Sequence, residues 1–202
     1  MSVIVPVLDE AVELPRVAAH VASLHGEWEL LVAEGAGRAA RLNAKAREAR
    51  GELVLILHAD SRLPAGAYAS LAGAAADPLV VGGNFALRFD GDDRFARVLT
   101  AAYALQRRYG FYYGDSSVWV RRSVFERLGG FRELPIMDDY DFVRRLEAAG
   151  RTECLPGPAR TSDRRWRAMG VPRTLLTWWA IRWLYLAGVP PARLAGLYHR
   201  IR

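Results

Sequence analysis

The chain has 202 residues, 51% of them hydrophobic and 25% charged. That is enough for one domain with its own core, and the absence of repeats and low-complexity runs excludes a disordered or fibrous chain. The single cysteine, Cys154, excludes an internal disulfide and fits a reducing compartment, while the net charge of +6, carried almost wholly by arginine with Lys45 the one lysine, fits an anionic partner or an arginine-rich genome.

Ser2 to Leu8 reads as a first strand, with Pro6 near its end or at an edge because proline lacks a ladder donor. MSVIVPVLDE has neither the basic flank nor the length of a signal peptide. Leu14, Val17, Ala18, Val21 and Leu24 recur at helical spacing, Trp28 to Ala33 is a second strand, and the Glu34-Gly35-Ala36-Gly37 turn leads into a helix over about residues 39–49. Leu53 to Leu57 is a continuous apolar run, as expected of a strand covered on both faces of a parallel sheet. Strand and helix alternate up to this point, which predicts an α/β fold with a mostly parallel sheet.

The apolar run stops at His58-Ala59-Asp60. In open α/β sheets ligands gather beyond the carboxyl ends of strands, so Asp60 is placed to meet a substrate or hold a cation. The plainer alternative is that Asp60 and Ser61 begin a turn before Pro64, which opens the next helix. An alanine-rich helix to about Ala76 follows, then a strand from Val80 to Phe89 whose Gly82-Gly83 pair predicts a bulge or a close backbone approach. A long helix over about 94–108 has Phe95, Val98, Leu99, Ala102 and Leu105 on one face. An aromatic loop over 109–114, a short strand over 116–121 and a short helix over 122–128 closed by Gly129-Gly130 come next.

Asp138, Asp139 and Asp141 head a helix that ends near Gly150. One acid there caps the helix and opposes its dipole. Three exceed what capping requires, and clustered carboxylates raise one another's pKa toward that of a proton acceptor. In the tail, TLLTWWAIRWLYLAGV (174–189) is too short to span a bilayer and contains Arg182. It reads as a helix packed on the domain, as a dimer contact, or as a helix in the membrane interface. Pro190-Pro191 begins a last basic helix to about Arg200.

Taken in order, SVIVPVLDE, NAKAREARGELVLILHADSRLP, YGDSSVWVRRSVFERLGGF and MDDYDFVRRL resemble the family 2 glycosyltransferases with the GT-A fold, a mostly parallel sheet flanked by helices. More narrowly, the LHAD element and the arginine- and tryptophan-containing tail are similar to the bacterial subgroup called transferase 2, rSAM/selenodomain-associated. The resemblance implies a metal-dependent transfer of a sugar from a nucleotide-diphosphate donor to a hydroxyl of a glycan, lipid or small-molecule acceptor, with inversion at the anomeric carbon. It implies Mg²⁺ or Mn²⁺ at Asp60, with His58 in place of the motif's usual first acid. By the same resemblance Asp139 is the catalytic base with Asp138 its neighbour in the motif, and Asp141 faces solvent. Asp9, Glu10, Asn43, Arg38 and Glu34 fall where relatives contact the nucleotide. Gly114 and Asp115 lie in an acceptor-side loop, and Arg164, Arg165 and Trp166 over the diphosphate. The expected organisation is a catalytic domain over 1–170 and C-terminal helices over 171–202, in a cytoplasmic protein with peripheral contact at the inner membrane face.

One departure stands out. VAEGAGRAARLNAKA joins the second strand straight to the asparagine helix, where relatives carry an acidic loop, a helix and a third strand. A catalytically weak binding protein with a shortened donor loop is therefore the alternative. A nucleic-acid binder would need its arginines gathered with base-stacking aromatics, and the arginines are scattered.

Overall fold

The computed structural model describes residues 1–7, 13–163 and 170–201. Its first half alternates β1 (Ser2–Pro6), α1 (Glu13–Ser23), β2 (Glu29–Ala33), α2 (Arg38–Glu48) and β3 (Leu53–Ile56). A two-residue β4 (Ser61–Arg62), α3 (Ala67–Ala75), β5 (Val80–Phe89) and α4 (Arg94–Arg108) follow. A 3-10 turn (Gly114–Ser116) then precedes β6 (Trp119–Arg121), α5 (Arg122–Arg127), α6 (Asp138–Ala149) and β7 (Arg151–Thr161). Two helices close the chain, α7 (Val171–Leu186) and α8 (Pro191–Ile201).

The strands form one sheet in the order β2-β1-β3-β6-β5-β7-β4. β1 pairs in parallel with β2 and β3, and β5 with β7, while β6 runs antiparallel between β3 and β5. Five strands therefore end at one edge of the sheet. The 3-10 turn, entering the antiparallel β6, lies at that same edge.

Period-two alternation sorts the core. Ile4, Val54 and Ile56 join Leu42, Phe125, Phe142 and Leu146 on the α2, α5 and α6 side. Val3, Val5, Leu53, Leu55 and Leu57 join Val17, Val21 and Leu71 on the α1 and α3 side. A strand buried on both faces needs apolar residues at every position, which is why 53–57 reads as an unbroken run.

Three elements differ from the sequence expectation. β7 has no strand reading from the sequence, and Pro156-Gly157-Pro158 would interrupt one. The strand instead passes through those residues with a register shift opposite Ala86, and Gly157 adopts φ 70° there. α3 begins at Ala67 rather than Pro64, whose carbonyl accepts from Ala67 N–H in the preceding turn. On α4 the buried face carries Ala96 and Leu99 with Tyr103 beside them, whereas Val98 and Leu105 are 53% and 55% exposed. The helix is rotated because Arg107 points inward: its Nε donates to Asn84 Oδ1 at 2.5 Å and its Nη2 to Thr152 Oγ1 at 3.2 Å.

The glycine pair of β5 matches its reading as a close approach. A Cβ on Gly82 would lie 2.5 Å from the Trp119 carbonyl oxygen, and one on Gly83 would overlap the Glu153 carbonyl.

The tail packs on the α4 and α6 region. Ile181 is fully buried with Tyr113, Met137 and Tyr140, and Trp178 meets the Tyr113 ring at 5.8 Å. Among the described residues no helix is long and apolar enough to cross a membrane.

Candidate functional site

Beyond β3 the chain turns at His58–Ser61, closed by Ser61 N–H donating to the His58 carbonyl at 2.9 Å. β4 then pairs with the end of β7, and Ser61 Oγ donates to Thr161 Oγ1 at 3.0 Å. This clamp puts Asp60 beside Thr161 and Ser162. With His58, Tyr103, Tyr113, Asp115, Asp139 and Trp178 they line a recess of about 80 Å³. The turn that the plainer reading of Asp60 predicted is real, and it places Asp60 at the recess.

The head of α6 forms the opposite wall. Met137, buried and in the left-handed region at φ 68° and ψ 17°, turns the chain into the helix. That conformation is uncommon outside glycine and clusters at sites that fix a neighbouring group. Asp138 is buried and pairs with Arg38 Nη1 at 2.5 Å. Burial raises its pKa, Arg38 opposes that rise, and the adjacent Asp139 adds to it. Asp139 accepts two backbone bonds, from Gly114 N–H to Oδ2 at 2.9 Å and from Tyr140 N–H to Oδ1 at 2.7 Å.

Gly114 is where these groups converge. A Cβ there would lie 3.0 Å from Arg38 Nη2, 3.1 Å from His58 Nε2 and 3.2 Å from Asp139 Oδ2. Arg38 Nη2 and His58 Nε2 are themselves 3.4 Å apart. Since a guanidinium is donor-only, the His58 nitrogen facing it suits the acceptor role of a neutral ring. Residues 38, 58, 114 and 139 come from four elements and meet because all four begin or end at one edge of the sheet.

The other expected residues divide. Asp115, in the 3-10 turn, lines the recess, and next to it burial and then the Asp115 charge push the Tyr103 hydroxyl well above its ordinary pKa. Glu34 is exposed just past β2. Asn43, expected at the nucleotide, pairs with Phe131: its Nδ2 donates to the Phe131 carbonyl and its Oδ1 accepts from Phe131 N–H, both at 2.8 Å. Asp141 does not face solvent. It is buried, paired with Arg145 at 2.8 Å and Arg132 at 3.1 Å, and accepts from Tyr185 Oη, so it ties α6 to α7. Asp9, Glu10, Arg164, Arg165 and Trp166 lie outside the described residues.

Sequence reading missed Tyr103, Tyr113, Thr161, Ser162 and Trp178 in the wall of the recess. It also missed Arg41, whose Nη1 donates to the carbonyls of Val7 and Gly35 at 3.0 and 3.1 Å and joins the loops after β1 and β2. Only Arg41 carries a signal, an arginine on the buried face of an amphipathic helix. A larger cavity of about 440 Å³ lies on the other side of Tyr103, lined by Asn84, Arg107, Arg108, Tyr112, Ser116, Thr152 and Cys154 among others. Among the described residues no carboxylate lines it.

No family model matches the chain, and no curated protein does. Solved structures do. A mannosyltransferase from Pyrobaculum calidifontis in complex with GDP-Man and Mn²⁺ superposes over 80% of this chain and 55% of its own, at TM-score 0.58 and 20% identity. TarS of S. aureus in complex with UDP-GlcNAc superposes over 80% and 58%, at TM-score 0.59 and 12% identity. Glucosyl-3-phosphoglycerate synthase from Mycobacterium tuberculosis, in complex with Mn²⁺ and UDP-glucose, covers 80% and 68%, at TM-score 0.52 and 15% identity. The chain has the GT-A fold. It spans a little over half the length of the first two, and at these identities the likeness shows the fold alone.

A divalent cation can be tested against the residues present. Among the described residues no group of three or more His, Cys, Asp or Glu side chains is arranged to hold a metal ion. The recess does supply hard carboxylate oxygens from Asp60, Asp115 and Asp139. This donor set fits Mg²⁺ or Mn²⁺ held by one or two carboxylates and completed by phosphate oxygens, and does not form a closed protein cage.

Proposed function

We propose that this protein transfers a sugar from a nucleotide-diphosphate donor to an acceptor hydroxyl. The observation that carries the reading is the convergence of Arg38, His58 and Asp139 on Gly114, with His58 and Asp139 also lining the recess that Asp60 lines, at the carboxyl edge of a GT-A sheet. In this reading Asp60 would hold a divalent cation, which when bound would supply neutralisation of the charge on the departing diphosphate, and His58 stands beside Asp60 with its ring nitrogen toward Arg38. Asp139 takes the proton of the acceptor hydroxyl as its oxygen bonds to the anomeric carbon and the bond to the diphosphate oxygen breaks, with inversion. The backbone N–H of Gly114 fixes the Asp139 carboxylate for that task. The Arg38–Asp138 pair is a positioning pair.

By resemblance, Asp9, Glu10 and Glu34 face the base and ribose, and Arg164, Arg165 and Trp166 the diphosphate. Asn43 instead serves the loop at Phe131. Asp115 belongs to the acceptor side, and the 440 Å³ cavity behind Tyr103 is our candidate for the body of the acceptor.

A second reading is favoured by one observation: β2 ends at Ala33 and α2 begins at Arg38, so β2 is a sheet edge and the donor loop is four residues long. A protein with so short a loop binds a nucleotide or glycan weakly and turns over slowly. A thermal-shift series of UDP-, GDP- and dTDP-sugars with and without Mn²⁺ separates the two. Metal-dependent stabilisation by one base, lost in Asp60→Ala, followed by transfer that Asp139→Asn abolishes, supports the enzyme. Absence of stabilisation by any donor at millimolar concentration favours the binding protein.

A further inference from the structure

The charge of this protein is divided unevenly along the chain. Residues 1–163 carry 20 basic and 22 acidic side chains, a net of −2, whereas residues 164–202 carry eight arginines and no acid, a net of +8. The whole positive excess therefore lies in the tail. The same tail holds helix α7, which is apolar on both of its faces.

One face of α7 is used. Thr177, Ile181 and Arg182 are buried, Arg182 lies 5.2 Å from the Phe111 ring centre, and Trp178 reaches the recess that Asp60 and Asp139 line. The opposite face is not covered by the described residues. Leu176, Trp179 and Trp183 are 67%, 58% and 51% exposed, and the two indoles meet edge to face at 6.0 Å. Arg173 in the first turn of the same helix and Arg193 on α8 are also exposed. A helix that is apolar all round is ordinarily buried all round, so this face calls for an occupant.

We propose that the outer face of α7 docks on an anionic phospholipid bilayer. At 16 residues the helix is about 24 Å long, short of the roughly 30 Å hydrocarbon core, so it lies in the interface. Tryptophans sit at headgroup level, and each arginine held near an anionic surface adds about 1 kcal/mol. Charge complementarity selects this occupant. A second copy would set the exposed Arg173 and Arg193 against the same two arginines, with no acid in residues 164–202 to answer them, and a nucleic acid stacked on Trp179 and Trp183 would offer Leu176 no apolar partner. Because Trp178 and Trp179 are adjacent on α7, docking holds the bilayer one helix thickness from the recess. The docking itself holds whether or not the recess transfers sugars.

The test is flotation of the full chain with vesicles of phosphatidylcholine alone and of phosphatidylcholine mixed with phosphatidylglycerol. The proposal expects binding to the mixed vesicles only, weakened by salt, with a blue shift of tryptophan emission. Trp179→Ser with Trp183→Ser, both exposed and outside the recess, and separately Arg173→Glu with Arg193→Glu, each weaken binding about tenfold while the melting temperature holds. Failure of the wild type to float with anionic vesicles at low salt overturns the proposal, as does binding that the tryptophan pair does not change. So does a dimer in sedimentation that the same pair dissolves, or oligonucleotide binding at physiological salt that competes with the vesicles.

Discussion

A side chain on Gly114 would press on three side-chain ends, which lie within 3.2 Å of where its Cβ would be. Each neighbour is the far end of a flexible side chain, so Gly114→Ala folds and instead pushes Arg38, His58 and Asp139 outward. Misplacement on this scale costs catalysis more than stability. We expect a fall of roughly 10- to 100-fold in turnover, with unfolding free energy within about 1 kcal/mol of wild type in urea. Arg38→Ala has the opposite balance. It strands the buried Asp138 carboxylate, costing about 2 kcal/mol, less than a fully buried pair because Arg38 retains some exposure. Burial already raises the Asp138 pKa, and losing Arg38 raises it further, so the variant is most stable with Asp138 protonated and loses stability as pH rises through that value. The gap from wild type should narrow as pH falls through the raised Asp138 value of the variant and close below that of wild type, and adding Asp138→Asn should restore most of the loss at neutral pH.

At the scale of elements, the edge strand β2 is fastened by one side chain. Glu29 accepts from Ser2 Oγ, from Arg50 N–H at 2.8 Å and from Arg50 Nε at 2.7 Å, joining β2 to β1 and to the turn before β3. The Ser2 hydroxyl first, then the Arg50 amide, hold its pKa down to about 2 from an ordinary 4.5. A lowered carboxyl pKa contributes stability above the unfolded value and loses it as pH falls through the folded one. Melting curves of wild type and Glu29→Gln should therefore differ most at neutral pH and converge as pH falls from about 4.5 toward 2. Element-level legibility followed the same physics. Helices α1, α2 and α6 and the strand β3 were readable because a single pattern dictates them. The face of α4 and the whole of β7 were not, because Arg107 turns inward to partners on β5 and β7, and the Pro-Gly-Pro bulge is stabilised by pairing with a strand some 70 residues away.

For the whole molecule, a donor that binds only the folded chain stabilises it by about 2.7 kcal/mol at a hundred times its Kd. For a chain of this size that raises the melting temperature by about 5–10 °C. The shift should require Mn²⁺ and vanish in Asp60→Ala; a shift of equal size in that variant would place the donor elsewhere. The sequence by itself determined the α/β class, the strand that ends at Asp60 and the acid cluster at the head of α6, since each depends on neighbours within a turn or a strand. It also determined the segregation of charge into the tail. Only the tertiary structure decided that Asp141 ties α6 to α7, that Asn43 pairs with the Phe131 backbone, that Gly114 is the point of convergence, and that Trp178 walls the recess while Trp179 faces outward. Those roles depend on pairings across 9 to 100 residues of chain. Local periodicity carries no record of a partner brought close only when five strands end at the same edge of a sheet.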